Sequence, residues 1–178
     1  MALLKEMTAR RGVAHAEVDP APALANLREA IGNREGPVSF YWPIRTELDP
    51  RPVMEDLART RDVCLPVTVG YAPLIFRPWE PGADMEIDPF GVAVPAGSTE
   101  VTPRVLVVPL LAFNTAGHRL GYGAGHYDRT LAKLRPAGSV TAIGLAFEAQ
   151  LVDTLPTEDT DQPLDLIVTE RTIRHILR

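Results

Sequence analysis

A chain of 178 residues is long enough to bury roughly 70% of the surface its unfolded form exposes, so a single domain spanning residues 1–178 is expected. Apolar residues make up 46% and charged residues 23%, which excludes a disordered chain, and no apolar run reaches the roughly 20 residues of a membrane helix. A net charge of −5 argues against a duplex nucleic-acid partner, and a single cysteine, Cys64, excludes an internal disulfide and a cysteine-rich zinc site.

A small-molecule partner, a cytoplasmic location and a monomeric state are the expectations. In chain order, residues 3 to 16 are predicted to form a basic helix with Leu3, Met7 and Ala14 on one side. Residues 21 to 31 form a second helix, with Leu24, Leu27 and Ile31 inward and Gly32 as its C-terminal cap. Residues 38 to 44 are β-branched and aromatic and read as a strand that ends at Pro43. A helix at about 51 to 61 follows, then strands at 63 to 69 and 73 to 79, the latter bracketed by prolines and so confined to an edge or a short span. Residues 80 to 104 read as a long irregular loop. The runs at 105 to 113, 142 to 147 and 164 to 170 are nearly continuous in apolar character, as in strands covered on both faces, and Tyr127, Leu131 and Leu134 mark a helix between the first two. Strands alternating with helices predict a mainly parallel α/β sheet in three α/β/α layers. Ligands of such folds gather at the carboxyl ends of strands, which directs attention to the segment after Phe113.

There Gly121, Gly123 and Gly125 run directly into the predicted helix. Glycines permit the positive φ that turns amides inward as a nest, and a helix N-terminus adds about half a positive charge, so an anion is stabilised there. Arg119 is expected to add a fixed fork for a phosphate, and Asp128 to cap free amides or hold Mg²⁺. The spacing matches neither a P-loop nor the Rossmann fingerprint, so a glycine-rich structural turn stands beside the phosphate site as a reading. A serine hydrolase is unsupported, since Ser39, Ser98 and Ser139 lie outside any Gly-x-Ser-x-Gly motif. His15, His118 and His175 read as surface residues, and Cys64 as a small buried apolar side chain.

Pro109, Leu111-Ala112-Phe113, Gly117, Arg119-Leu120-Gly121, Gly123, Gly125 and Tyr127-Asp128-Arg129 together resemble the signature of the 5-formyltetrahydrofolate cyclo-ligase family. The likeness continues through Gly144-Leu145, Phe147, Gln150-Leu151-Val152, Leu155-Pro156, Asp161, Asp165 and Ile167-Val168-Thr169-Glu170. Upstream it includes Tyr41, Glu47-Leu48-Asp49 and Leu65-Pro66, so it covers about residues 38 to 170. The resemblance implies a fold similar to the glucosamine-phosphate deaminase, ribose-phosphate isomerase and CoA-transferase group. It also implies ATP- and Mg²⁺-dependent closure of a reduced folate, 5-formyltetrahydrofolate, to the 5,10-methenyl form, through attack of the formyl oxygen on the γ-phosphate. By the same resemblance, Arg119, Leu120, Gly121, Tyr122, Gly123, Ala124, Gly125, His126 and Tyr127 would wrap the ATP phosphates, with Arg119, Tyr122 and His126 in catalytic roles. Tyr122 and His126 would also touch the folate, Glu47 would bind the pterin with Trp42 and Tyr41 against it, and Asp128 and Asp161 would hold Mg²⁺.

Several positions depart from the family pattern. Aligning on Glu6 places Leu4 where the family carries an Arg for the nucleotide, and Lys5, Arg10 and Arg11 are the basic residues a register shift would bring there. Asn114, Ala124 and His126 stand where the family has Asp, Gly or Lys, and Tyr; Val94 and Thr160 replace an acid and a His. Three readings follow: a working cyclo-ligase, a diverged relative that binds folate or nucleotide with weak or no turnover, and a different phosphate-handling enzyme on the same sheet.

Overall fold

The computed structural model describes residues 1–177 and opens with two helices, α1 (Ala2–Glu17) and α2 (Ala21–Ile31). Both lie where helical spacing places them. Leu24, Leu27, Ala30 and Ile31 of α2 are buried, and Gly32 closes the helix at φ 50° with its N–H on the Arg28 carbonyl. A fully buried Leu or Ile such as Leu27 or Ile31 contributes about 1.5–3 kcal/mol relative to exposure.

The chain continues through β1 (Val38–Ser39), α3 (Arg51–Leu57), β2 (Val63–Val67) and β3 (Ile75–Trp79). A hairpin of β4 (Met85–Ile87) and β5 (Ala93–Pro95) follows, then β6 (Val105–Pro109), and a second hairpin of β7 (Ala112–Phe113) and β8 (Arg119–Leu120). Helix α4 (His126–Ala137), β9 (Thr141–Leu145), a 3₁₀ turn at Glu148–Gln150, β10 (Leu166–Val168) and β11 (Ile173–His175) complete the order. Seven strands form one sheet in the order β11-β10-β9-β6-β1-β2-β3. The five inner strands are parallel and the two edge strands antiparallel. Residues alternate across it: Val105 and Val107 meet the face covered by α2 and α3, whereas Leu106 and Val108 share the other face with Leu131 of α4. The three-layer expectation holds, and no helix among the described residues is long and apolar enough to cross a membrane.

Four local expectations are corrected. The strand at 38 to 44 forms a ladder only over Val38–Ser39; the Phe40 N–H still reaches the Cys64 carbonyl at 3.1 Å, after which the chain peels away. The helix expected to 61 ends at Leu57 and gives way to turns. The run at 105 to 113 is not one strand. It breaks after Pro109, and the buried Gln150 amide donates to the carbonyls of Leu110 at 2.9 Å and Leu111 at 3.1 Å, which have left the ladder. The loop at 80 to 104 contains the β4–β5 hairpin, whose turn is made by Asp88 Oδ1 accepting from the N–H groups of Phe90 and Val92.

From β1 the chain runs through α3 on one face to β2, and from β6 through α4 on the opposite face to β9. Since β1 and β6 are neighbours, the strand order reverses between them, which is where sheets of this kind form a ligand-binding crevice beyond the carboxyl ends of the strands.

Candidate active site

The segment leaving β1 supplies one wall. Ile44 and Glu47 close a tight turn, with the Glu47 N–H on the Ile44 carbonyl at 3.1 Å and the Ile44 N–H on Glu47 Oε2 at 2.9 Å. Arg45, inside the turn, takes a φ of 52°, a left-handed conformation unusual outside glycine. The turn holds Glu47 at 7% exposure. Burial raises its carboxyl pKa above the ordinary value, opposed by the Ile44 hydrogen bond and the positive charges of Arg11 and Arg45. The phenols of Tyr41 and Tyr127 are also pushed up, first by burial and then by the negative charge of Glu47.

The segment leaving β6 supplies the floor. Asn114 Oδ1 accepts from the N–H groups of Ala116 and His118, both at 3.1 Å, and so shapes the β7–β8 turn that returns the chain to Gly121. Gly123 and Gly125 then adopt φ of 88° and 68°. A Cβ added at Gly121 or Gly123 would meet no atom within 4 Å, so the backbone there borders open space into which a ligand can approach. Helix α4 begins with no side-chain cap, which leaves its first amides available. From below, Arg129 Nη2 donates to the Ala124 carbonyl at 2.7 Å and braces the segment.

Tyr122, 49% exposed, stands in the middle of the glycines. Its hydroxyl accepts from Arg11 Nη2 at 2.6 Å, and the Arg45 guanidinium lies 5.3 Å from its ring centroid. Arg11 belongs to α1, is 1% exposed, and also donates from Nε to Thr46 Oγ1 at 3.0 Å. The second wall is the loop between β2 and β3, where His126 Nε2 lies 2.8 Å from the Gly70 carbonyl oxygen, the Nε2–H tautomer donating.

A buried carboxylate on one wall of a switch-point crevice and an open glycine-rich floor on the other are the setting in which the sequence motif stands. The model of the 5-formyltetrahydrofolate cyclo-ligase family matches residues 2–170. The chain belongs to this family. It is 36% identical over 140 residues to the 5-formyltetrahydrofolate cyclo-ligase of Escherichia coli K12, covering 74% of this chain and 76% of that enzyme. It is 34% identical over 140 residues to that of Haemophilus influenzae, covering 74% of each. Among solved structures, the 5,10-methenyltetrahydrofolate synthetase of Aquifex aeolicus superposes with a TM-score of 0.79 at 24% identity, over 99% of this chain and 94% of that one. The Mycoplasma pneumoniae synthetase gives 0.72 at 22% identity, over 95% and 97%. At these identities the two superpositions speak for the fold.

Within this cyclo-ligase fold the expected site residues divide. Glu47, Tyr122, Tyr127 and the glycines converge on the crevice. Arg119 is not a free phosphate fork: its side chain is 9% exposed, with Nη1 on the Gln162 carbonyl at 2.6 Å and Nη2 on Asp128 Oδ1 at 2.8 Å. Tyr41 is part of the core, buried with its hydroxyl on the Leu48 carbonyl. Trp42 is half-buried, and the Arg51 guanidinium lies 4.9 Å from its ring centroid. Asp128 does not cap amides of its own helix; Oδ1 also accepts from the Gln162 N–H at 2.9 Å, and Oδ2 has no hydrogen bond among the described residues. Asp161 Oδ2 accepts from the Glu158 N–H at 2.9 Å in an exposed turn. Among the described residues no three His, Cys, Asp or Glu side chains form a metal cage. Of the three basic candidates in α1, Lys5 is exposed, Arg10 donates to the Leu151 carbonyl at 3.2 Å, and Arg11 alone reaches Tyr122. Arg45 was not singled out for the site, and Arg11 was named only as one of three basic residues that a register shift would bring to the nucleotide. The signal for Arg11 was its place four residues after Met7 and three before Ala14, a charge on the apolar stripe of α1.

Proposed function

We propose that this chain is a working cyclo-ligase that converts 5-formyltetrahydrofolate into 5,10-methenyltetrahydrofolate with ATP and Mg²⁺, releasing ADP and phosphate. The observation that carries the reading is the pairing, at one switch point, of a buried carboxylate after β1 with an open glycine-rich floor after β6. Family membership over residues 2–170 supports the same activity and favours it over a relative without turnover.

The reaction joins the formyl oxygen to the γ-phosphoryl group and lets N10 close the ring as phosphate departs, so it asks for positioning and charge stabilisation and for no protein nucleophile. In this reading Glu47 accepts hydrogen bonds from the pterin N–H groups and fixes the ring. The amides of 121–127 and the uncapped start of α4 face the triphosphate and stabilise its charge. Trp42 borders the pterin on the side away from Arg51. Arg119 supports the floor by tying Asp128 to the loop at Gln162, and His126 holds the β2–β3 loop at the rim. For Mg²⁺, Asp128 Oδ2 and the Asp161 carboxylate are the oxygen donors on offer. Such a partial set suits a cation that keeps several waters and binds largely through phosphates; when bound, it would neutralise charge on the triphosphate.

The purified protein given 5-formyltetrahydrofolate, ATP and Mg²⁺ is expected to develop the near-ultraviolet absorption of the methenyl product. Absence of that signal at high enzyme concentration would overturn the reading, and tighter binding of sugar phosphates than of folate would point to a different phosphate-handling enzyme.

A further inference from the structure

Arg11 is a buried cation without an ion pair among the described residues. Taking a guanidinium out of water is costly, and an apolar side chain of similar volume usually packs as well or better. Its place in the protein therefore calls for a role that packing does not supply. Its hydrogen-bond partners are three neutral oxygens: Thr46 Oγ1 at 3.0 Å, the Leu110 carbonyl at 3.5 Å and the Tyr122 hydroxyl at 2.6 Å. Each belongs to a different segment. Thr46 precedes Glu47 on the wall after β1, Leu110 follows β6, and Tyr122 is in the glycine-rich floor. The short bond to Tyr122 is charge-assisted, the strongest kind available to a neutral acceptor. Arg45 adds a second guanidinium over the same ring, so the one bulky side chain among the glycines is gripped from both the α1 and the Glu47 sides.

We propose that Arg11 is a positioning residue, which acts through Tyr122 to hold the glycine-rich floor against the Glu47 wall, so that the phosphate and pterin halves of the site are assembled together. The inference rests on the cyclo-ligase reading. Glycines at 121, 123 and 125 give the floor adaptable backbone and little side-chain packing, so a single directional bond is well placed to select its working conformation. A Lys ammonium, a point charge without a planar fork, would not span three oxygens on three segments.

The decisive variants are Tyr122→Phe, which keeps the ring beneath Arg45 and removes only the acceptor, and Arg11→Met. Tyr122→Phe is expected to melt with the wild type and to raise the KM for ATP about tenfold, with kcat changed less. Arg11→Met is expected to do the same or more, Arg11→Lys not to rescue it, and the double variant to be no worse than Arg11→Met alone, since both remove one interaction. A wild-type KM for ATP in Tyr122→Phe overturns the proposal, as do independent, multiplying effects of the two substitutions. Should the wild type lack turnover, it is the cyclo-ligase reading that fails. The positioning role is then decided by amide hydrogen exchange over residues 121–125, which must quicken in Tyr122→Phe for the proposal to stand.

Discussion

Glu47 carries a cost that its surroundings only partly offset. Burial is the largest influence on its carboxyl and raises the pKa, while the Ile44 N–H and the charges of Arg11 and Arg45 pull the other way. A carboxyl whose folded pKa exceeds its unfolded one favours the native state fully only while protonated, and that contribution is lost as pH rises through the folded value. Glu47→Gln is therefore expected to melt higher than the wild type near neutral pH, with the gap closing as pH falls below the ordinary value of 4.5. It is also expected to lose folate affinity; thermal melts across pH and calorimetry with 5-formyltetrahydrofolate check both. Gly121 separates fold from ligand in another way. Its φ is outside the left-handed region and the space at its Cβ is open, so Gly121→Ala should fold with an unchanged Tm yet weaken nucleotide binding by intruding where the triphosphate runs. At this scale the sequence carried Glu47 and the glycines, through their motif, but not the true partners of Arg119. An arginine fork is matched by whatever the fold brings opposite it, here Asp128 in the first turn of α4 and the Gln162 carbonyl. Arg11 was legible only as one of three basic residues that a register shift would bring to the nucleotide; its burial at i+4 from Met7, on the inward side of α1, is what the structure adds.

Among the elements, the buried strands and the two amphipathic helices were readable because continuous apolar runs and 3.6-residue spacing reflect burial directly. The break after Pro109 was not, since Leu110 to Phe113 stay apolar and buried on either side of the turn. What makes the turn possible is Gln150, remote in sequence. Its amide serves the two carbonyls, and its Oε1 accepts the Phe147 N–H at 2.8 Å. Gln150→Leu would strand these buried groups at about 1–3 kcal/mol for each one left unpaired. The expected loss is at least about 2 kcal/mol, a fall of roughly 4–8 °C in Tm for a chain of this size. Differential scanning calorimetry reads it directly, and activity should fall with it because Leu110 also receives Arg11. The short strands β4, β5 and β11 escaped the sequence reading for a different reason: three residues are too few to display a period.

For the molecule as a whole, α/β class and parallel order were legible from the alternation of elements, whereas the position of β6 beside β1 was not, because strand order is a property of pairing and not of pattern. That adjacency has a temporal side. Val38 must wait for Val105 before its second edge is paired, and the floor of the crevice lies farther along still, so during synthesis the binding site cannot exist until well over half of the chain has been made. A nascent chain that has reached β2 carries only the Glu47 half of the site, with no floor to face it. A crevice assembled after the rate-limiting step predicts that ligand leaves the refolding rate unchanged and slows unfolding by the full factor of its binding energy. Stopped-flow folding and unfolding with and without 5-formyltetrahydrofolate and a non-hydrolysable ATP analogue would register this as movement of one chevron arm alone.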